Sequence, residues 1–80
     1  MADEPRFTGA YDRNGEKLYE GSRVYAYKPN SYLKGVYIIA WHPIRCGFHY
    51  RSIETNEWAC NRGTFYQIGN NRAGAYCELI

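Results

Sequence analysis

The side chains of this chain best suited to chemistry crowd into its middle: His42, Cys46, His49 and Cys60, with Cys77 near the end. Imidazole and thiolate together make a reasonable zinc shell. The spacing opposes it. There is no Cys-x-x-Cys knuckle, and Cys46 and His49, three apart on a predicted strand, point to opposite faces. A cysteine nucleophile beside either histidine would also need a third, orienting group and an oxyanion donor, and nothing in the sequence marks them. The acids gather in polar turns, at Asp12, Glu16 and Glu20 and again at Glu54 and Glu57, which is no setting for a catalytic carboxylate pair. The expectation is a protein without catalytic residues, metal or cofactor.

The elements that hold these residues are short and rich in rings. The chain has 80 residues, 45% hydrophobic and 18% aromatic, with nine tyrosines and two tryptophans. That length supports one core only, and the aromatic content favours strands over helices. An odd set of three cysteines argues against a closed disulfide framework, although one could pair between chains. The longest apolar run, Val36 to Trp41, is far too short to span a bilayer as a helix. The opening "MADEPRF" has no signal-peptide character, so a cytoplasmic location is expected.

Turn signals every eight to twelve residues separate short β-type runs. Arg23 to Lys28 alternates in polarity, Gly35 to His42 is nearly continuous in apolar residues, and Pro43 stops it. Cys46 to Ile53 should return beside it as a hairpin. Brief strands are expected at Trp58 to Cys60, at Thr64 to Ile68 and in the closing segment Ala75 to Ile80. The pattern predicts a mostly β fold, either a small SH3-like barrel or a strongly curved antiparallel sheet of four to six short strands. Residues 1–6 should be a flexible N-terminus and 7–80 a single small β domain.

Before the first strong strand comes "YDRNGEKLYEG". Asp12 can cap a turn through its carboxylate and Asn14-Gly15 tolerates positive φ, so the stretch reads as a hairpin or hook leading into the fold. The larger block Phe7 to Val24, "FTGAYDRNGEKLYEGSRV", resembles the YopX family of phage and prophage proteins. Thr8-Gly9, Asp12, Asn14-Gly15, Leu18-Tyr19-Glu20-Gly21 and Val24 carry the similarity, and the end, "YQIGNNRAGAYCELI", is similar to the family's closing segment. Ser22 departs from the family's usual Asp, and the chain resembles only the C-terminal, β-rich part of its members. The resemblance implies a phage-derived protein with an SH3-like fold and no established catalytic residues.

Charge is uneven: residues 21 to 80 hold seven bases against three acids, while the first twenty residues are slightly acidic. If Val24, Ala26, Val36, Ile38 and Ala40 face inward, then Tyr25, Tyr27, Tyr37 and Trp41 share the other face, close to Arg45 and Arg51. Such rings are either the second half of a core or a contact surface, since Tyr, Trp and Arg are enriched at interface hot spots. The expected binding residues are Tyr25, Tyr27, Tyr37, Trp41, Arg45 and Arg51. Size and resemblance point to a phage inhibitor acting in the host cytoplasm, docking on a host protein such as a CRISPR or other antiviral-defence component. The alternative is a small nucleic-acid or nucleotide-binding module in which the same rings stack bases and Arg45, Arg51, Arg62 or Arg72 meet phosphate. Open strand edges also suggest a homodimer.

Overall fold

The computed structural model describes residues 5–80 and is all β. Eight strands follow in chain order: β1 (Phe7–Tyr11), β2 (Lys17–Tyr19), β3 (Arg23–Tyr27), β4 (Lys34–His42), β5 (Gly47–Ser52), β6 (Cys60–Asn61), β7 (Thr64–Phe65) and β8 (Tyr76–Leu79). No helix among the described residues is long and apolar enough to cross a membrane. The main sheet is antiparallel in the order β5-β4-β3-β8, and β1-β2 and β6-β7 are separate two-stranded pairs. The sheet is open, not a closed barrel.

Turn chemistry fixes the first hairpin. Asp12 and Gly15 close a tight turn, Gly15 N–H donating to the Asp12 carbonyl at 3.1 Å, and Gly15 follows at φ +81°, a left-handed step that glycine takes without strain. The backbone then returns to pair Tyr11 with Lys17. The predicted hook is therefore a short hairpin. Of the expected flexible N-terminus, residues 1–4 lie outside the described region, while Arg6 is tied down: its Nε and Nη2 donate to the two carboxylate oxygens of Glu20 at 3.0 and 3.1 Å.

Register decides which side of the main sheet is the core. Val24 lies opposite Tyr37 and Leu79, Ala26 opposite Gly35 and Cys77, Ile39 opposite Tyr50, and Trp41 opposite Phe48. Residues directly opposite share a face. The inner face thus carries Val24, Ala26, Tyr37, Ile39, Trp41, Tyr50 and Cys77, and all of these but Trp41 pack with Leu18 and Leu33 into one core. Burying Leu18 or Ile39 completely contributes roughly 1.5–3 kcal/mol each. Val36, Ile38 and Ala40 face the other way, contrary to the sequence expectation. Both phases of "VYIIAW" are apolar, so periodicity could not choose between them, and pairing with β3 did.

Two polar devices finish the fold. Tyr50 is buried, its hydroxyl accepts the Gly69 N–H at 3.4 Å, and burial, reinforced by the neighbouring Cys77, pushes its phenol far above the usual range. Burial likewise pushes the Cys77 thiol up, so it stays protonated and unreactive. At the free edge of β8, the Cys77 carbonyl accepts Arg13 N–H at 2.9 Å, Cys77 N–H donates to Asn71 Oδ1 at 3.2 Å and Leu79 N–H donates to Asp12 Oδ2 at 3.1 Å. Side chains and a turn occupy the place where a closing barrel strand would have paired.

Candidate binding face

The outer face of the main sheet contrasts with the core side. Its residues, among them Arg23, Tyr25 and Tyr27 on β3, Val36, Ile38, Ala40 and His42 on β4, His49 and Arg51 on β5, and Tyr76 on β8, are all half-buried or exposed. Val36, at the centre, is 42% exposed. An aliphatic strip therefore runs between two groups of rings.

The first group lies over β3 and β8. Tyr76 stands directly opposite Tyr27, with ring centroids 5.7 Å apart, and 6.2 Å from Tyr25. The Arg13 guanidinium, carried there by the first hairpin, sits 4.1 Å above the Tyr76 ring. This is close enough for a cation–π contact.

The second group lies at the other end, where the chain after β5 turns back on that strand. Isolated bridges pair Arg51 with Trp58 and His49 with Gln67. They bring Trp58 and Phe65 onto the outer face, where His42 lies 4.7 Å from Trp58 and 5.1 Å from Phe65, and His49 lies 5.0 Å from Phe65. Two guanidiniums cover these rings: Arg45 is 4.5 Å from Phe65, and Arg51 is 5.4 Å from Trp58. Arg51 is held in place by a hydrogen bond from Nε to the Asn56 carbonyl at 3.1 Å. Desolvation in this nest lowers the pKa of His49, with Arg45 and His42 adding in the same direction against a contact to the Tyr66 carbonyl, so His49 is neutral at pH 7. His42 Nδ1 accepts the Arg45 N–H at 3.2 Å, fixing the loop that presents Arg45.

The structure divides the six expected binding residues. Tyr25 and Tyr27 belong to the first outer group, and Arg45 and Arg51 to the second. Tyr37 and Trp41 fall on the inner face: Tyr37 packs against Tyr50 at 5.7 Å, and Trp41 meets Phe48 at 5.1 Å under the Arg6 guanidinium. They are packing residues at the rim of the core. Sequence reading missed His42, His49, Trp58, Phe65, Tyr76 and Arg13 as members of the face. The two-residue alternation of β5 already places His49 with Arg51, but Trp58 and Phe65 arrive through loops whose path no periodicity encodes.

The arrangement offers no metal shell, because no group of three or more His, Cys, Asp or Glu side chains converges among the described residues. Cys46 is exposed in the β4–β5 turn, its Sγ 3.5 Å from the Pro43 carbonyl, and Cys60 is exposed on β6. What the face can offer a partner is flat ring area, guanidinium donors and an apolar strip. Comparison with known proteins gives no match at the level of family, of curated sequence or of solved structure.

Proposed function

We propose that this chain is a non-catalytic binding protein that docks on another protein through the outer face of its main sheet. The observation that supports this best is the pairing of Arg45 and Arg51 with Phe65 and Trp58 beside the aliphatic strip, of which Val36 is exposed. Rigid rings bury large area at small entropy cost, and guanidiniums prepositioned over them supply directional donors, which is the composition of an interface hot spot. Glu78 is the one acid among the outward positions of the sheet, so the complementary surface is apolar at its centre and acidic at its rim.

The likeness of the Phe7 to Val24 block to YopX proteins supports a phage origin. With it comes the class of target, a host cytoplasmic protein such as a component of antiviral defence, CRISPR effectors included. Inhibition is then steric: the face covers a working surface of its target. The test is a pull-down from nuclease-treated bacterial lysate with the tagged protein, alongside Arg45→Ala and Arg51→Ala. A specific partner that survives nuclease and is lost with either variant supports the reading. Material recovered only from untreated lysate, or capture indifferent to both substitutions, overturns it.

A further inference from the structure

Bordering that face and sharing Phe65 and Tyr76 with it, an open cleft of about 500 Å³ lies between Lys28, just after β3, and the segment 61–76. Phe65, Tyr66 and Tyr76 give it a wall of rings, Lys28 and Arg62 stand in its lining, and no acidic residue does. Neither cation has a carboxylate partner among the described residues, where the one salt bridge joins Arg6 to Glu20. Lys28 Nζ instead rests 5.6 Å over the Tyr66 ring. The Tyr66 hydroxyl is buried without a hydrogen-bond partner, the one such side-chain group among the described residues. A second cleft continues from the first, sharing Lys28, Gln67 and Asn70 and adding Arg72, again with no acid.

The local backbone shows how Arg62 is presented. Asn61 pairs with Thr64, so Arg62 and Gly63 form a two-residue hairpin loop, and both have positive φ, +52° and +79°. That is the type I′ turn, whose first position favours Asn, Asp or Gly. An arginine held there sits in a left-handed conformation its side chain disfavours, and its charge is directed by the tightest loop available.

We infer that this cleft binds a nucleoside monophosphate unit, either free or within a single-stranded nucleic acid. The rings take the base face, Lys28 and Arg62 take the phosphate, and the neighbouring cleft with Arg72 gives room for a second unit. The volume lies in the range of small-ligand sites, about 300–1,000 Å³. Aromatic stacking with cationic phosphate contacts is the general chemistry of single-strand recognition.

The experiment is a titration of the ¹⁵N-labelled protein with AMP, adenosine, inorganic phosphate and a six-residue oligo-dA, repeated with Arg62→Asn and Lys28→Gln. Shifts at residues 28, 62, 66 and 76 with AMP, and at least about tenfold weaker binding of adenosine and of phosphate alone, are expected, because each lacks one half of the recognition. Arg62→Asn suits the type I′ turn better than arginine does. It should therefore keep or raise the melting temperature while weakening AMP about tenfold, as loss of one charge-assisted contact does. Oligo-dA binding more tightly than AMP identifies a single strand as the source; equal or weaker binding identifies the free nucleotide. Absence of shifts with both AMP and oligo-dA, phosphate binding as tightly as AMP, or undiminished affinity in Arg62→Asn would overturn the assignment.

Discussion

Replacing Asp12 by asparagine and by alanine separates the two things its carboxylate does. The residue is 3% exposed and accepts three backbone N–H groups: Asn14 at 2.8 Å and Glu16 at 2.9 Å on Oδ1, and Leu79 at 3.1 Å on Oδ2. The first two hold the turn, and the third holds the last strand to the first hairpin across sixty-seven positions. Hydrogen bonds to a charged acceptor contribute about 1.5–3 kcal/mol each when the partner is left without water. Asn14 and Glu16 are exposed and regain solvent, so each counts about 1 kcal/mol, while the half-buried Leu79 N–H counts about 2 kcal/mol. Asp12→Ala should therefore cost about 4 kcal/mol, a large share of the roughly 4–12 kcal/mol expected for a domain of this length. Asparagine keeps an acceptor for the turn but turns an amide N–H₂ toward Leu79, costing about 2 kcal/mol.

Acid gives a second readout of the same residue. Burial alone would raise its pKa, but the N–H donors of Leu79, Glu16 and Asn14 together outweigh it and hold the carboxyl below the usual range. A depressed pKa means the contribution is fully present above the unfolded value of about 3.9 and is lost as pH falls through the lower folded value. Glu20, also depressed by its bond to Arg6, adds a slope of the same sign to both proteins, so the difference between wild type and Asp12→Asn isolates Asp12. Urea melts from pH 7 to pH 2.5 measure it. Equal stability of Asp12→Asn and wild type at pH 7, or identical acid slopes, would refute the clasp.

Other perturbations follow from the same geometry. Gly15→Val places a β-branched residue at φ +81° and should destabilise by about 1 kcal/mol or more in thermal or urea melts; unchanged stability would contradict the turn. Tyr50→Phe leaves the Gly69 N–H without its acceptor and should cost about 1 kcal/mol, read as a lower urea midpoint at constant slope. His49 has a lowered pKa, so the unfolded chain takes up its proton first as pH falls below about 6.5, and stability should decline from pH 7.5 toward pH 5.5. The decline should shrink in His49→Gln, and a midpoint that holds or rises on acidification would count against the nest around it.

Much of this fold could be read from residue order because local chemistry and tertiary pairing agree. The turn at Asp12 to Gly15, the alternating Arg23 to Tyr27 strand and the hairpin across Pro43 each follow from short-range rules. Disagreement begins where a segment satisfies two readings at once. "VYIIAW" is apolar in both phases, and the choice that buries Ile39 and turns Tyr37 and Trp41 to the same inner face is made by Val24, Ala26 and Tyr50 across the sheet. Between the two architectures that the pattern allows, barrel or open sheet, the choice again lies outside periodicity. The β8 edge meets the Asp12 carboxylate, distant in the chain, and the Asn71 amide, six residues from Cys77, and no periodicity announces either partner. At the binding face, Arg45 and Arg51 were legible as cations among rings, yet the rings they cover come from the two-residue strand β7, which carries Phe65, and from the isolated bridge at Trp58.

The bond from Leu79 to Asp12 also orders events in time. As the chain leaves the ribosome, the first hairpin can form at once from local contacts, but its central carboxylate must wait in water with one oxygen unclaimed until the strand ending at Leu79 has emerged. β3 and β4 can pair in the interval, while β8, and with it the seal over Cys77, cannot. Such a long closure slows the final step and leaves β3 with a bare edge until synthesis has passed Leu79. A stalled or shortened chain would then present that edge to its neighbours, so the last strand protects the nascent protein from self-association as much as it completes the finished one.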